Sequence, residues 1–453
     1  MKRFFTPIFL LGLVFTVSTL KSGVPGTVQF TLGGHTGIVR DAQWSPDGTK
    51  VATASDDNTA IIWSAASGTK LFSLIGHTKM ILAVQWSPDG TKIATASDDG
   101  TAIIWSATSG TKLFSLNGHG MWGVSDIQWS PDGSKVATAS YDNTAIIWSA
   151  TNGTKLFTLT FSGFSSFYLA FKWSPDGTKV VTANDDRTTI IWSATSGTKL
   201  FTLEHTDRIR VVDWSPDGSK VATGSGDGER TASIWSATSG TKLFTLSGHN
   251  MEITSVHWSP DGSKVATSSL DQTAIIWSAT SGTKLLTLTG SYKYLLDVEW
   301  SPDGSKVATA SGDSTAKIWS ATSGAKLFTL SGHTGPLTTV QWSPDGSKVA
   351  TASSDFTAKI WYVTDADGVE EESPHSQPNF TLFPNPTDNT FTVKFEKETI
   401  VPTSLRINNL LGQSVTTYDI PVGVMEWSVH VGGLSAGMYH VQFNSSIRPL
   451  VVY

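Results

Sequence analysis

The 453-residue chain contains no cysteine, which excludes thiol catalysis, disulfide staples and lipid attachment through an N-terminal Cys. Charge is scarce as well. Charged residues make up 15 % of the chain and the net charge is −6. No basic run or stripe appears, so nucleic-acid partners are not expected. Long hydrophobic runs are also missing. The most apolar stretch, residues 4–17, is interrupted by Thr6, Pro7 and Gly12, and it falls short of the ~20 residues a spanning helix needs. Lys2 and Arg3 precede it and small polar residues follow it, so residues 1–23 read as a signal peptide and no integral membrane span is expected. A secreted chain without disulfides is held together by packing alone, which a large repeated fold permits.

What the sequence has in abundance is one unit. The pentapeptide Trp-Ser-Pro-Asp-Gly begins at Trp44, Trp86, Trp129, Trp173, Trp214, Trp258, Trp300 and Trp342. The spacings are 42, 43, 44, 41, 44, 42 and 42 residues. A second Trp follows in each unit, from Trp63 to Trp361, and the two sets include sixteen of the eighteen tryptophans. A unit this short cannot close its own core, so the period specifies stacked or radial repeats. Within residues 34–74, alternating apolar positions lead into a Ser-Pro-Asp-Gly turn, whose Pro presets φ. Further strands follow near 50–55, 59–63 and 70–74, separated by turns at 56–58 and 66–68. Each unit therefore reads as a four-stranded antiparallel meander.

Gly-His, the turn Asp and the third-strand Trp recurring together resemble the WD-repeat β-propeller family over residues 26–363. One departure is systematic: the Asp expected after the third-strand Trp is Ser, or Tyr362 in the last unit. The resemblance implies an all-β, eight-bladed propeller, or seven blades if one unit is flayed out. Residues 26–32 mimic a fourth strand ahead of the first Gly-His, and none follows Trp361, so the N-terminal strand is expected to complete the last blade.

The resemblance also implies a hydrogen-bonded network of His, strand-two Ser, turn Asp and strand-three Trp. The sets are His35, Ser55, Asp57 and Trp63; His77, Ser97, Asp99 and Trp105; His119, Ser140, Asp142 and Trp148; His249, Ser269, Asp271 and Trp277; and His333, Ser353, Asp355 and Trp361. A catalytic triad would be singular. This set recurs, so it reads as bracing. Phe164 and Asn184 replace the His and Ser in unit four, Ser291 replaces the His in unit seven, and unit five carries Glu204 for Gly and a lengthened second turn. Weaker braces are expected there. The paired turn aspartates lack the D-x-D-x-D spacing of a calcium loop, and no metal or cofactor is expected.

The copies differ mainly between the His and the first Trp. In the resembled family that segment lines the partner-binding face, which here would carry Ile38, Arg40, Met80, Leu82, Met121, Trp122, Tyr141, Phe167, Tyr168, Arg208, Arg210, Glu252 and Tyr294. Aromatic and Arg residues concentrate in units three to five, and such residues dominate interface energetics. Residues 364–378 read as an acidic linker. Residues 379–453 form a small β-sandwich domain with the motifs Leu-Phe-Pro-Asn-Pro-Thr, Asn-Leu-Leu-Gly-Gln and Leu-Ser-Ala-Gly-Met-Tyr. Together these resemble the C-terminal sorting domain of the type IX bacterial secretion route, with the usual terminal basic cluster reduced to Arg448. The resemblance implies export across the outer membrane by that machinery, to the surface or beyond. The expected function is a non-enzymatic binding scaffold for a protein or glycan. The alternative is a hydrolase or lyase in the central channel, with Asp207, Glu252 and His257 as loose candidates.

Overall fold

In the first unit, Val39–Trp44, Lys50–Ser55, Thr59–Ser64 and Lys70–Ile75 pair antiparallel in chain order. Their burial explains their composition. Ala60, Ile61, Ile62 and Trp63 of the third strand are all buried, because neighbouring sheets cover both of its faces, and a strand covered twice needs apolar residues at consecutive positions. The fourth strand is outermost and keeps Lys70 and Leu71 exposed, with Lys at an open edge where further pairing is discouraged.

The structure, a computed structural model, describes residues 24–161, 169–184, 186–363, 380–383, 390–395, 403–409, 414–420, 426–431, 434–443 and 446–452. It divides into two compact units, residues 1–367 and 368–453. The first holds eight four-stranded sheets. In the last of these, Leu337–Trp342, Lys348–Ser353 and Thr357–Tyr362 are joined by the N-terminal strand Val28–Gly33, which runs antiparallel to Thr357–Tyr362.

Adjacent sheets are fastened by the Trp of each Trp-Ser-Pro-Asp-Gly. Trp86 Nε1 donates to the carbonyl of Gln43 in the preceding blade, and the same bond recurs around the ring at 3.0–3.4 Å. The series ends where it began, since Trp44 donates to Gln341 of the last blade at 3.2 Å. The tight turns stack in the same order, each Gly facing the Pro of the preceding blade, and Gly48 faces Pro344. Those glycines have φ near +70°, the left-handed region that a side chain would strain. Between blades, a small face packs on a large one. Ala52, Ala54 and Ala60 of the first sheet meet Ile81, Val84, Trp86 and Trp105 of the second. That alternation fits side chains into a wedge that narrows inward.

In the second unit, Phe380–Phe383, Thr390–Phe395 and Glu426–His430 form one sheet. Ser414–Ile420, Thr403–Asn408, Gly437–Phe443 and Ser446–Val452 form another. Phe391, Val393 and Val429 from the first pack with Leu405, Ile407, Val441 and Leu450 from the second. This is a sandwich with alternating inward residues. Tyr439 ties the turn before it by donating to the Ser435 carbonyl at 2.9 Å.

Leu32, fully buried on the N-terminal strand, tests the closing role of that strand. Leu32→Ala is expected to cost about 2–5 kcal/mol, and Leu74→Ala, at the equivalent position of the first blade, is expected to cost a similar amount. Chemical denaturation measures both, and no loss for Leu32→Ala would show that the strand is dispensable.

Candidate functional site

The recurrent polar set is a directional chain of hydrogen bonds. In the first blade Trp63 Nε1 donates to Thr53 Oγ1 at 2.9 Å, Thr53 Oγ1 lies 2.8 Å from His35 Nε2, and His35 Nδ1 lies 2.9 Å from Asp57 Oδ2. The Asp accepts only, so the proton sits on Nδ1, and neutral Nε2 accepts from the threonine. Burial lowers the pKa of His35, His77 and His333, against the pull of their aspartates, which favours that neutral form. His77, His119, His249 and His333 make the same bonds to Asp99, Asp142, Asp271 and Asp355, and through threonine to Trp105, Trp148, Trp277 and Trp361.

The expected composition of this chain needs a correction. Its middle link is Thr53, Thr95, Thr138, Thr267 or Thr351, not Ser55, Ser97, Ser140, Ser269 or Ser353. Residues two apart share a strand face, and the Thr, one step deeper than the Ser, sits between the His and Trp rings. The Ser ends the strand, and its Oγ accepts from the backbone N–H of the turn Asp at 3.1–3.2 Å.

The deviant blades are rebuilt in different ways. In blade seven, where Ser291 stands for His, Lys317 replaces the usual Ile and its Nζ reaches Asp313 Oδ2 at 2.9 Å. Both side chains are buried, so the turn Asp keeps a side-chain donor, a lysine ammonium in place of the neutral His. In blade five the long turn is held from the opposite side, with Asp207 accepting from the N–H groups of Gly228 and Glu229. His205 packs edge-on against Trp235 and bonds Thr189 of the preceding blade. Burial with no carboxylate partner lowers its pKa to about 3. In blade four Thr182 still receives the Trp192 N–H, with Phe161 edge-on to that Trp. Phe164 and the Asn184 side chain lie outside the described residues.

The segments after each Gly-His and the second turns share one face, opposite the Ser-Pro-Asp-Gly turns. On it Met121 is 93 % and Trp122 54 % exposed. Met80 and Tyr294 are also exposed, whereas Ile38, Leu82 and Tyr141 are half-buried. Phe167 and Tyr168 lie outside the described residues. Several charges here are engaged. Arg40 clamps Asp56 through two bonds of 2.7 Å, Arg208 reaches Asp227 at 3.3 Å, and Arg210 bridges to Glu252 of the next blade at 2.9 Å. Exposed apolar side chains extend past units three to five, to Met251, Tyr292 (88 % exposed) and Phe356. Their signal in the sequence was position alone. Phe356 occupies the left-handed turn position, at φ 68°, that Asn58, Asn143, Arg187, Gln272 and Ser314 hold in other blades, so its side chain and not its backbone sets it apart.

The innermost strands line the channel at two levels. Asp41, Asp126 and Asp297 at the upper level serve the scaffold. Asp41 accepts from the Val84 N–H of the next blade, and Asp297 accepts from Ser255, Thr339, Val298 and Val340. At the lower level lie Lys172, Asp213, His257 and Glu299, on consecutive blades. Of the three loose catalytic candidates, only His257 lies in the channel, since Asp207 and Glu252 are tied up at the face. Among the described residues no group of three or more His, Cys, Asp or Glu is spaced to hold a metal ion.

The blade-seven exchange is testable as a swap. Lys317→Ile removes one partner of a buried pair and is expected to cost about 3–5 kcal/mol, and adding Ser291→His restores most of the loss. A single variant as stable as the native chain would refute the compensation. Glu299 supplies a pH test. Burial raises its carboxyl from 4.5 to about 7, so its contribution is fully present below pH 4.5 and is lost as pH rises through about 7. The Tm of Glu299→Gln, relative to the native chain, should therefore climb between those values and level off, whereas a constant difference contradicts the buried-carboxylate account.

Eight segments, residues 26–64, 68–106, 110–149, 155–193, 197–236, 240–278, 282–320 and 324–362, match the family described as WD domain, G-beta repeat. Residues 381–451 match the secretion system C-terminal sorting domain. No curated protein matches the chain. The sorting domain places the protein on the type IX export route, at the cell surface or secreted. The repeats span most of the sequence, and the chain belongs to the WD-repeat family, as an exported propeller of eight blades.

Proposed function

We propose that this exported propeller is a recognition module, binding a protein or glycan through the face formed by its variable segments. The observation that carries this reading is an inequality between two faces of one repeat. The Ser-Pro-Asp-Gly side is almost invariant and self-satisfied: Ser45 donates to Asp47 at 2.6 Å and accepts from the Lys50 N–H, and the pattern repeats in every blade. The other side carries Met121, Trp122, Tyr292 and Phe356 in the open. Side chains of this type supply binding energy when a partner desolvates them.

The recurrent His and Asp support bracing and not turnover, because each is consumed by its own blade. Binding is therefore the reading, with catalysis set aside. Alanine at Trp122, Phe167 and Arg208 together, in the chain from residue 24 onward, is expected to abolish saturable capture of a partner from cell-surface extracts. Retention of capture, with the fold intact by circular dichroism, would remove the patch from the account.

A further inference from the structure

The lower level of the channel is a ring of eight polar side chains, and it is lopsided. Blades eight, one, two and three supply Gln341, Gln43, Gln85 and Gln128, whereas blades four to seven supply Lys172, Asp213, His257 and Glu299. The upper carboxylates accept hydrogen bonds from their own or neighbouring strands, whereas this arc is more sparsely bonded. His257 Nδ1 stands 3.9 Å from Asp213 Oδ2 and 3.9 Å from Glu299 Oε1, too far for a hydrogen bond to either. Glu299 Oε1 accepts from Gln341 at 3.0 Å, and Asp213 Oδ2 from the Trp258 N–H at 3.0 Å. Among the described residues no acceptor comes within hydrogen-bond or ion-pair distance of the Lys172 ammonium.

The spacing has a chemical meaning. His257 Nδ1 stands 3.9 Å from a carboxylate oxygen on either side, so both contacts leave room for a ligand donor at hydrogen-bond distance from Asp213 and Glu299. The surrounding charge is negative, so a cationic donor fits best. Beside the gap, Lys172 offers three donors without a protein acceptor. Its field reaches across the channel, because Asp213, Asp126, Glu299 and Asp297 together raise its pKa above the ordinary lysine value, outweighing burial. It is a permanent cation, suited to an anionic group. Positive and negative requirements thus lie side by side inside one narrow lumen, where water competes weakly with fixed charges.

We infer that the lower channel binds a compact zwitterion, an amino acid or short peptide, whose ammonium enters the gap between Asp213, His257 and Glu299 while its carboxylate meets Lys172. The face reading neither requires this site nor is required by it. No covalent step is involved.

The test is isothermal titration of the chain from residue 24 onward with glycine and glycylglycine, alongside N-acetylglycine, glycinamide and zinc chloride. At least one zwitterion is expected to bind saturably at one site per chain. N-acetylglycine lacks the ammonium and glycinamide the carboxylate, so each should bind at least tenfold more weakly. Lys172→Met and Glu299→Gln should each weaken the zwitterion tenfold or more, with the fold intact by circular dichroism. Neither substitution removes a scaffold bond, since Trp214 uses the Lys172 backbone carbonyl and the Gln oxygen still accepts from Gln341. Absence of binding by both zwitterions overturns the proposal. Equal binding of glycinamide, or unaltered binding in Lys172→Met, overturns it in favour of a plain cation site, and zinc bound where the zwitterions are not overturns it in favour of a metal. Face variants that abolish partner capture should leave these titrations unchanged, so the two readings fail separately.

Discussion

Everything in this propeller depends on the bond between each first-strand Trp and the carbonyl of the blade before it. A single blade is a small sheet with two apolar faces and no core of its own. The indole N–H would be a buried orphan unless it reached its neighbour, and reaching its neighbour is what sets one blade against the next. Because the bond closes from Trp44 to Gln341, no blade is terminal. The N-terminal strand, paired to Thr357–Tyr362, then covers an edge that would otherwise invite aggregation. A cysteine-free exported protein gains from this arrangement, since its stability comes from geometry that needs no oxidant.

Within each blade the second Trp plays the complementary part. Its N–H starts a relay through Thr and His to the turn Asp, which then receives backbone N–H groups such as that of Thr36 at 2.9 Å. The relay connects the buried sheet to the loops of the variable face. Its variants show what is essential. Blade seven keeps the turn Asp and changes the donor to Lys317, and blade five anchors its loop by Asp207 instead. A fixed acceptor and a well-held turn persist while the donor changes.

Much of this was legible in the sequence, for a physical reason. The repeat imposes the Pro-Asp-Gly turn and its flanking strands eight times over, so strand positions follow from pattern, and the closing strand expected at residues 26–32 is found at Val28–Gly33. The Thr-for-Ser correction was not legible. Thr53 and Ser55 lie on the same strand face, and only depth decides which reaches the His. The role of Lys317 was not legible either, because a Lys in an apolar strand gives no sign that its head group turns back to Asp313. The channel arc was hidden most deeply, since Lys172, Asp213, His257 and Glu299 are 41 to 44 residues apart in sequence and only the ring brings them together. On the face, the sequence located the variable segments but not which side chains are spent. Arg210 and Glu252 read as free contacts, yet they hold each other.

The proposed function assigns recognition to the variable side of the propeller and support to the invariant side. Hydroxyl-radical footprinting of the chain with and without a captured partner tests that division most directly. Protection confined to peptides containing residues 119–123, 205–210 and 291–294 is the predicted result. Protection centred on the Ser-Pro-Asp-Gly turns, with Met121, Trp122 and Tyr292 still fully oxidised, would contradict it.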